Sequence, residues 1–185
     1  MVFLRTKYTT ILLTILLWFP GMSAGPGVAH ANHSVSELQV EVAYLYNFTK
    51  FVTFPETAFI QEENIFNICV LGENPFADLL NVLAKKNVQD KKINIRIHAR
   101  HEDTLGCHIL FISKSEQERF SEIFSGLAGK PVLIVGDTPG FCHQGGMINF
   151  IRFENTLRFE INIRMAEQAD LKISAPMLQV AHIVK

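Results

Sequence analysis

The seven histidines and three cysteines are the residues of this sequence best able to hold a metal ion or supply a nucleophile. Zinc sites announce themselves through short repeated spacings such as HExxH or paired CxxC, and neither occurs here. His98 and His101 stand near the end of one apolar run, His108 follows Cys107, and His143 follows Cys142, while His30 and His33 lie near the amino terminus. Neighbours on an extended segment point to opposite sides. No acidic residue is placed to orient His143, so Cys142-His143 is a poor nucleophile-base pair. Gly72-Glu73 and Gly136-Asp137 each close an apolar run, and the carboxyl ends of strands are where open α/β sheets hold ligands. GENP and GDTPG are nevertheless neither a dinucleotide-binding nor a P-loop motif, and they read as ordinary strand-to-loop turns. Gly145-Gly146 in CHQGGMINF suits a close backbone approach or a positive φ. That segment is poor in acid-base groups and reads as a packing or recognition loop. No catalytic, cofactor-binding or metal-ligating residue is assigned on these grounds, and no cofactor is expected.

The elements that must position these residues follow from hydrophobic period. Ser34 and Glu37 fit a capping box. A helix then runs from about Val35 to Phe51, with Leu38, Val42, Leu45, Phe48 and Val52 on one face and Tyr44, Tyr46, Phe51 and Phe54 widening it. FNICVL (Phe66–Leu71) reads as a buried strand, and Asn74-Pro75 opens a helix bearing Phe76, Leu79, Leu80 and Leu83. NVQDKK reads as a polar link. Ile93, Ile95 and Ile97 alternate with polar residues as in a half-buried strand. CHILFIS (Cys107–Ser113) is a central strand, the segment from Ser113 to Gly129 an amphipathic helix, and PVLIV (Pro131–Val135) another buried strand. Met147–Phe153 and Thr156–Ile161 are two strands joined by a tight Glu154-Asn155 link, hence antiparallel. Asn162 caps a short helix to about Ala169, and a last helix covers about Ala175 to Val184. This order predicts a three-layer α/β domain, with a mostly parallel sheet flanked by helices and an antiparallel edge hairpin.

The amino terminus predicts export. Arg5 and Lys7 precede the apolar run Thr9–Phe19, which is too short to span a bilayer. Pro20-Gly21 then breaks the run, and Ala29-His30-Ala31 supplies a small-x-small cleavage pattern. Residues 1–31 are therefore expected to be a signal peptide, and 32–185 a single domain. The formal net charge is -1, and losing Arg5 and Lys7 makes the remainder more acidic. No basic stripe favours a polyanion, so no nucleic-acid partner is expected. Outside the cytoplasm, Cys69, Cys107 and Cys142 meet an oxidising environment. Their odd number allows one internal disulfide with one free thiol, or pairing with another chain.

Several stretches, in order and over nearly all of the expected mature chain, resemble the YfiR family of periplasmic proteins, also described as DUF4154 or YfiR/HmsC-like. They are AYLYNFTKFVTFPE (Ala43–Glu56), ICVLGENPF (Ile68–Phe76), GCHILFIS (Gly106–Ser113), PVLIVGDTPGF (Pro131–Phe141), GGMINF (Gly145–Phe150), and RFEIN with LKIS between Arg158 and Ser174. The resemblance implies a mostly parallel α/β fold in the periplasm and no enzymatic activity. It implies a negative regulator that binds the periplasmic sensor domain of an inner-membrane diguanylate cyclase, so repressing cyclic di-GMP synthesis and biofilm formation. It further implies an outer-membrane lipoprotein that sequesters the repressor, and a homodimer. The family domain also occurs fused to signalling proteins, so a periplasmic sensory or ligand-binding module for another signalling protein is the alternative.

Cys69 lies inside the first buried strand and Cys107 begins the third, and such strands can be neighbours in a doubly wound sheet. A Cys69–Cys107 disulfide is expected, and the competing readings are buried small apolar side chains or a bond from Cys142 to either of the other two. Family members with a fuller cysteine set pair the position of Cys142 with a cysteine shortly downstream. This chain has none after Cys142, so Cys142 is expected to be unpaired. Mass spectrometry of the exported protein should find Asn32 at the amino terminus. A chain that still begins at Met1 would refute the cleavage site.

Overall fold

In the computed structural model the described residues are 34–59, 64–98, 104–154 and 156–184. The expected signal peptide, His33, His101 and Asn155 of the expected hairpin link lie outside them. Helix α1 (Val35–Phe51) begins with the capping box: the Glu37 backbone N–H donates to Ser34 Oγ at 3.3 Å, and the Ser34 N–H donates to Glu37 Oε2 at 3.1 Å. These bonds satisfy two amides that the helix leaves open. Strand β1 (Val52–Thr53) and a 3-10 turn, Glu56–Phe59, lead toward β2 (Ile65–Leu71).

Next come a 3-10 helix at Ala77–Val82, β3 (Asn87–Val88), β4 (Lys91–His98) and β5 (Ile109–Ile112). A 3-10 segment at Lys114–Arg119 runs into α2 (Phe120–Leu127), followed by β6 (Leu133–Gly136) and a 3-10 turn at Phe141–Gln144. The chain continues through β7 (Ile148–Phe153), β8 (Thr156–Asn162), α3 (Ile163–Gln168), β9 (Lys172–Ile173), α4 (Ala175–Val180) and β10 (His182–Val184).

The described residues form an eight-stranded sheet in the order β10-β8-β7-β6-β5-β2-β4-β3, and β1 pairs separately with β9. Strands β4, β2, β5, β6 and β7 are mutually parallel; β8 runs antiparallel to β7, and β10 lies parallel to β8. The central strands are near-continuous apolar runs because both their faces are covered, as parallel strands require. All of Ile109–Ile112 and Leu133–Gly136 is buried. The expected mostly parallel α/β sheet with an antiparallel hairpin is therefore present.

Details differ from the sequence reading for physical reasons. Strand β10 adds outside β8, so the β7–β8 hairpin sits one strand in from the edge. The last helix ends at Val180 because Ala181 is extended (φ -89°, ψ 155°), and His182–Val184 pair with Glu160–Asn162. The expected polar link NVQDKK contains β3 and turns tightly into β4 through Gln89 and Asp90, both at positive φ. Asn74 Oδ1 accepts the Phe76 N–H at 3.0 Å, but the helix that follows is 3-10. Cys142 and His143 lie on a 3-10 turn, not on an extended segment.

The Gly145-Gly146 loop is a packing device. Phe141 is fully buried and its ring is wedged against backbone: a Cβ on Gly146 would stand 2.1 Å from the ring and one on Gly136 would stand 2.7 Å away. The ring also meets Phe120 and Phe124 edge-on at 5.1 and 5.3 Å. Gly146→Ala should therefore destabilise the domain by about 1–3 kcal/mol through overpacking. Urea unfolding checks this, and an unchanged midpoint would refute the wedge.

Candidate functional site

Asn67 pins the centre of β2 to its surroundings. Its Nδ2 donates to Gly106 O at 2.9 Å, and Asn94 Nδ2 on β4 donates to Asn67 Oδ1 at 2.8 Å. Its backbone N–H donates to His108 Nδ1 at 2.9 Å, which places a ring proton on Nε2. The His108 ring stacks on Phe59 and Phe66 at 4.5 and 4.8 Å. His108 is thus a packed core histidine, and these bonds fix the segment that enters β5. That segment carries Cys107 over β2, where it is bonded to Cys69 with Cα atoms 5.9 Å apart. His98, at the end of β4, brings Nε2 to 3.8 Å from Cys107 Sγ.

Cys142 is buried and not in a disulfide. Its thiol donates to Glu160 O at 3.8 Å, and Asn162 Nδ2 donates to Cys142 O at 3.0 Å. Burial first, and then the nearby Glu160 charge, push the thiol far above its ordinary range. It stays protonated and is a poor nucleophile. His143 on the same turn is exposed, so the two do not form a dyad.

The carboxyl edge of the sheet holds no open nucleotide-type crevice at Gly72. Ser115 Oγ accepts the Glu73 N–H at 3.0 Å, and a Cβ on Gly72 would stand 2.4 Å from that oxygen. A shallow polar recess beside it is lined by Lys114, Ser115, Gln117, Glu118 and Gln144. At Asp137 the edge meets α1 instead. Glu41 on α1 is fully buried there, and Glu37, one turn earlier, ion-pairs with Arg152 of β7. Burial, with added repulsion from Asp137 and Glu37 against attraction from Arg152, raises the Glu41 carboxyl to about 8. Sequence reasoning missed Glu41, although the signal is present: it falls on the same helical stripe as Leu38, Leu45 and Phe48.

An apolar recess lies between α1 and α4. Tyr44, Asn47, Phe48, Phe51, Phe159, Pro176, Met177 and Val180 line a groove of about 240 Å³. Its floor is an aromatic cluster: Phe159 meets Tyr44 and Phe48 edge-on at 5.2 and 5.4 Å, and Phe150 lies 6.0 Å from both. Its rim is exposed, with Phe51 41% and Val180 61% accessible. Exposed apolar residues gathered on one face are a mark of a contact surface. The chemistry available here is apolar recognition.

Mostly parallel strands with flanking helices, and an apolar recess between α1 and α4, define an α/β domain among the described residues. Solved structures of similar fold include a conserved domain protein from Vibrio cholerae O1 biovar El Tor, at TM-score 0.52 and 11% identity over 80% of this chain and 60% of that one. A second is the ABC domain in complex with L-Trp from Streptococcus pneumoniae, at TM-score 0.55 and 11% identity over the same shares. This chain thus spans about 60% of the length of each, and the likeness is one of fold. Residues 38–182 match the DUF4154 family model, described as YfiR/HmsC-like, and the chain belongs to that family.

Glu41 makes stability depend on pH. Its carboxyl keeps a proton in the fold up to about pH 8 but in the unfolded chain only below its ordinary value of 4.5. The native state holds the extra proton between those values, so stability falls as pH rises through them. From pH 5 to pH 8 the wild-type Tm should drop on the order of 5 °C more than that of Glu41→Gln. Parallel curves for the two proteins would refute this assignment.

Proposed function

We propose that this chain is an exported, periplasmic negative regulator that binds the periplasmic sensor domain of an inner-membrane diguanylate cyclase through the α1–α4 groove. The observation that carries the reading is membership of the YfiR/HmsC-like family together with an apolar, partly exposed groove built on the first helix. The family match lies wholly downstream of the expected leader at residues 1–31. No helix among the described residues is long and apolar enough to cross a membrane. An apolar recess with a rigid aromatic floor suits a protruding apolar side chain from a partner, since anchors in well-packed pockets dominate interface energies. Holding the sensor domain in one arrangement represses the cyclase only in proportion to the difference in affinity between its off and on states. An outer-membrane lipoprotein that competes for the same protein relieves repression by mass action. A homodimer is a second use of apolar helix surface in the same proposal.

The test combines deletion with variants of the exposed rim. Deleting the gene should raise cellular cyclic di-GMP, and wild-type protein should lower it again. Phe51→Asp and Val180→Asp, at accessible positions that leave the core intact, should fold normally and fail to restore repression. Unchanged cyclic di-GMP on deletion would overturn the function. Full repression by both variants would overturn the groove as the contact site, and light scattering of the same variants reports whether the groove instead joins two copies.

A further inference from the structure

Three elements bring soft donors to one point. Cys69 comes from the middle of β2, His98 from the end of β4, and Cys107 from the turn into β5. One donor atom from each lies within 4.8 Å of the other two, and His98 Nε2 stands 3.8 Å from Cys107 Sγ. Both sulfurs are buried and the imidazole is half-buried. While the sulfurs are joined they are poor ligands, because the thiolate is the form that binds metal. Once reduced, the same positions offer two thiolates and one imidazole. That donor set selects Zn(II) or Cu(I) over hard cations.

Geometry and access both favour this use. Donors held at about 2.0–2.3 Å from a common ion stand roughly 3.5 Å apart; His98 Nε2 and Cys107 Sγ already stand near that spacing, and the two sulfurs, joined in the disulfide, must separate to it once reduced. Arg96, two residues before His98 and on the same face of β4, reaches the segment with Nη1 3.2 Å from Leu105 O. A cavity of about 370 Å³ lined by Thr57, Gly106, Cys107 and Pro131 gives a reductant and an ion an approach to Cys107.

We propose that Cys69, His98 and Cys107 form a binding site for a thiophilic ion of the Zn(II) or Cu(I) type when the disulfide is reduced, so that disulfide and metal are alternative states of one cluster. The exchange balances with a dithiol as reductant. The dithiol gives up two electrons and two protons and closes to its own disulfide, while the Cys69–Cys107 S–S bond opens to two thiols. The ion then displaces both thiol protons to solvent and binds the two sulfurs and His98 Nε2.

The exported protein, reduced with a phosphine and kept without oxygen, is titrated with Zn(II) and Cu(I) against chromophoric chelators, and with Co(II) as a spectroscopic probe. One ion per chain is expected, with a thiolate-to-cobalt charge-transfer band. His98→Ala, which leaves both cysteines in place, should weaken binding by at least about tenfold, and Cys142→Ala should leave the stoichiometry unchanged. Oxidised protein should bind nothing at this cluster. Equal affinity in wild type and His98→Ala, loss of binding in Cys142→Ala, no ion on the reduced wild type, or equal binding by oxidised protein would each overturn the proposal. If circular dichroism shows that the reduced chain unfolds, refolding on addition of Zn(II) or Cu(I) supports the site, and a chain that stays unfolded with both ions refutes it.

Discussion

The seating of α1 on the β7–β8 hairpin is the interaction on which the rest of this structure depends. Phe48 is almost completely buried against Phe150 and Phe159, and Tyr44 closes the same cluster from one turn away. Aromatic pairs at these separations contribute beyond the area they bury. The same contact does two further things. It leaves Phe51 at the end of the helix half-covered, which opens the groove toward α4. It also draws Glu41 into the interior beside Asp137, where a carboxyl is tolerated because it keeps its proton. A surface for recognition and a pH-dependent weakness thus come from one packing arrangement.

The other end of the sheet is held by polar order instead of aromatic mass. Asn67 sits inside an otherwise apolar strand, and its side chain ties β4 to the turn before β5. Burying an amide is costly unless its bonds are made, and here the bonds set where Cys107 lands. The disulfide then closes a loop over a sequence separation of 38 residues, a length for which cross-linking is worth roughly 3–4 kcal/mol in the chain-entropy model. The two ends are chemically distinct. The apolar groove lies on the α1–α4 side, and the cluster of two sulfurs and an imidazole lies on the β2–β4–β5 side.

Much of this was legible in the sequence where one residue's environment is decided locally. The Ser34–Glu37 cap, the apolar runs of β2, β5 and β6, and the paired runs around Glu154 each carry their own signal. What was hidden depends on partners distant in sequence. His182–Val184 continue an apolar period and read as helix, and only pairing with Glu160–Asn162 makes them a strand. The Gln89-Asp90 turn lacks the glycine that usually marks positive φ. His98 was visible as a histidine near a strand end, but its place beside Cys69 and Cys107 follows from β4 lying on the far side of β2 from β5. Chain order alone does not specify that crossover. Glu41 was a different kind of omission: its position on the apolar stripe was plain, yet no role follows from a lone carboxylate on a helix face until Asp137 is known to lie beside it.

The proposed contact between the α1–α4 groove and a cyclase sensor domain is open to direct measurement. Hydrogen exchange on the purified protein, alone and with the periplasmic domain of its cognate cyclase, tests it most directly. New protection is expected in peptides covering Tyr44–Phe51 and Pro176–Val180, with the β2–β4 edge unchanged. Protection confined to the Thr104–Cys107 and Lys130–Val132 side, or a complex that forms with no change in exchange at the groove, would contradict it.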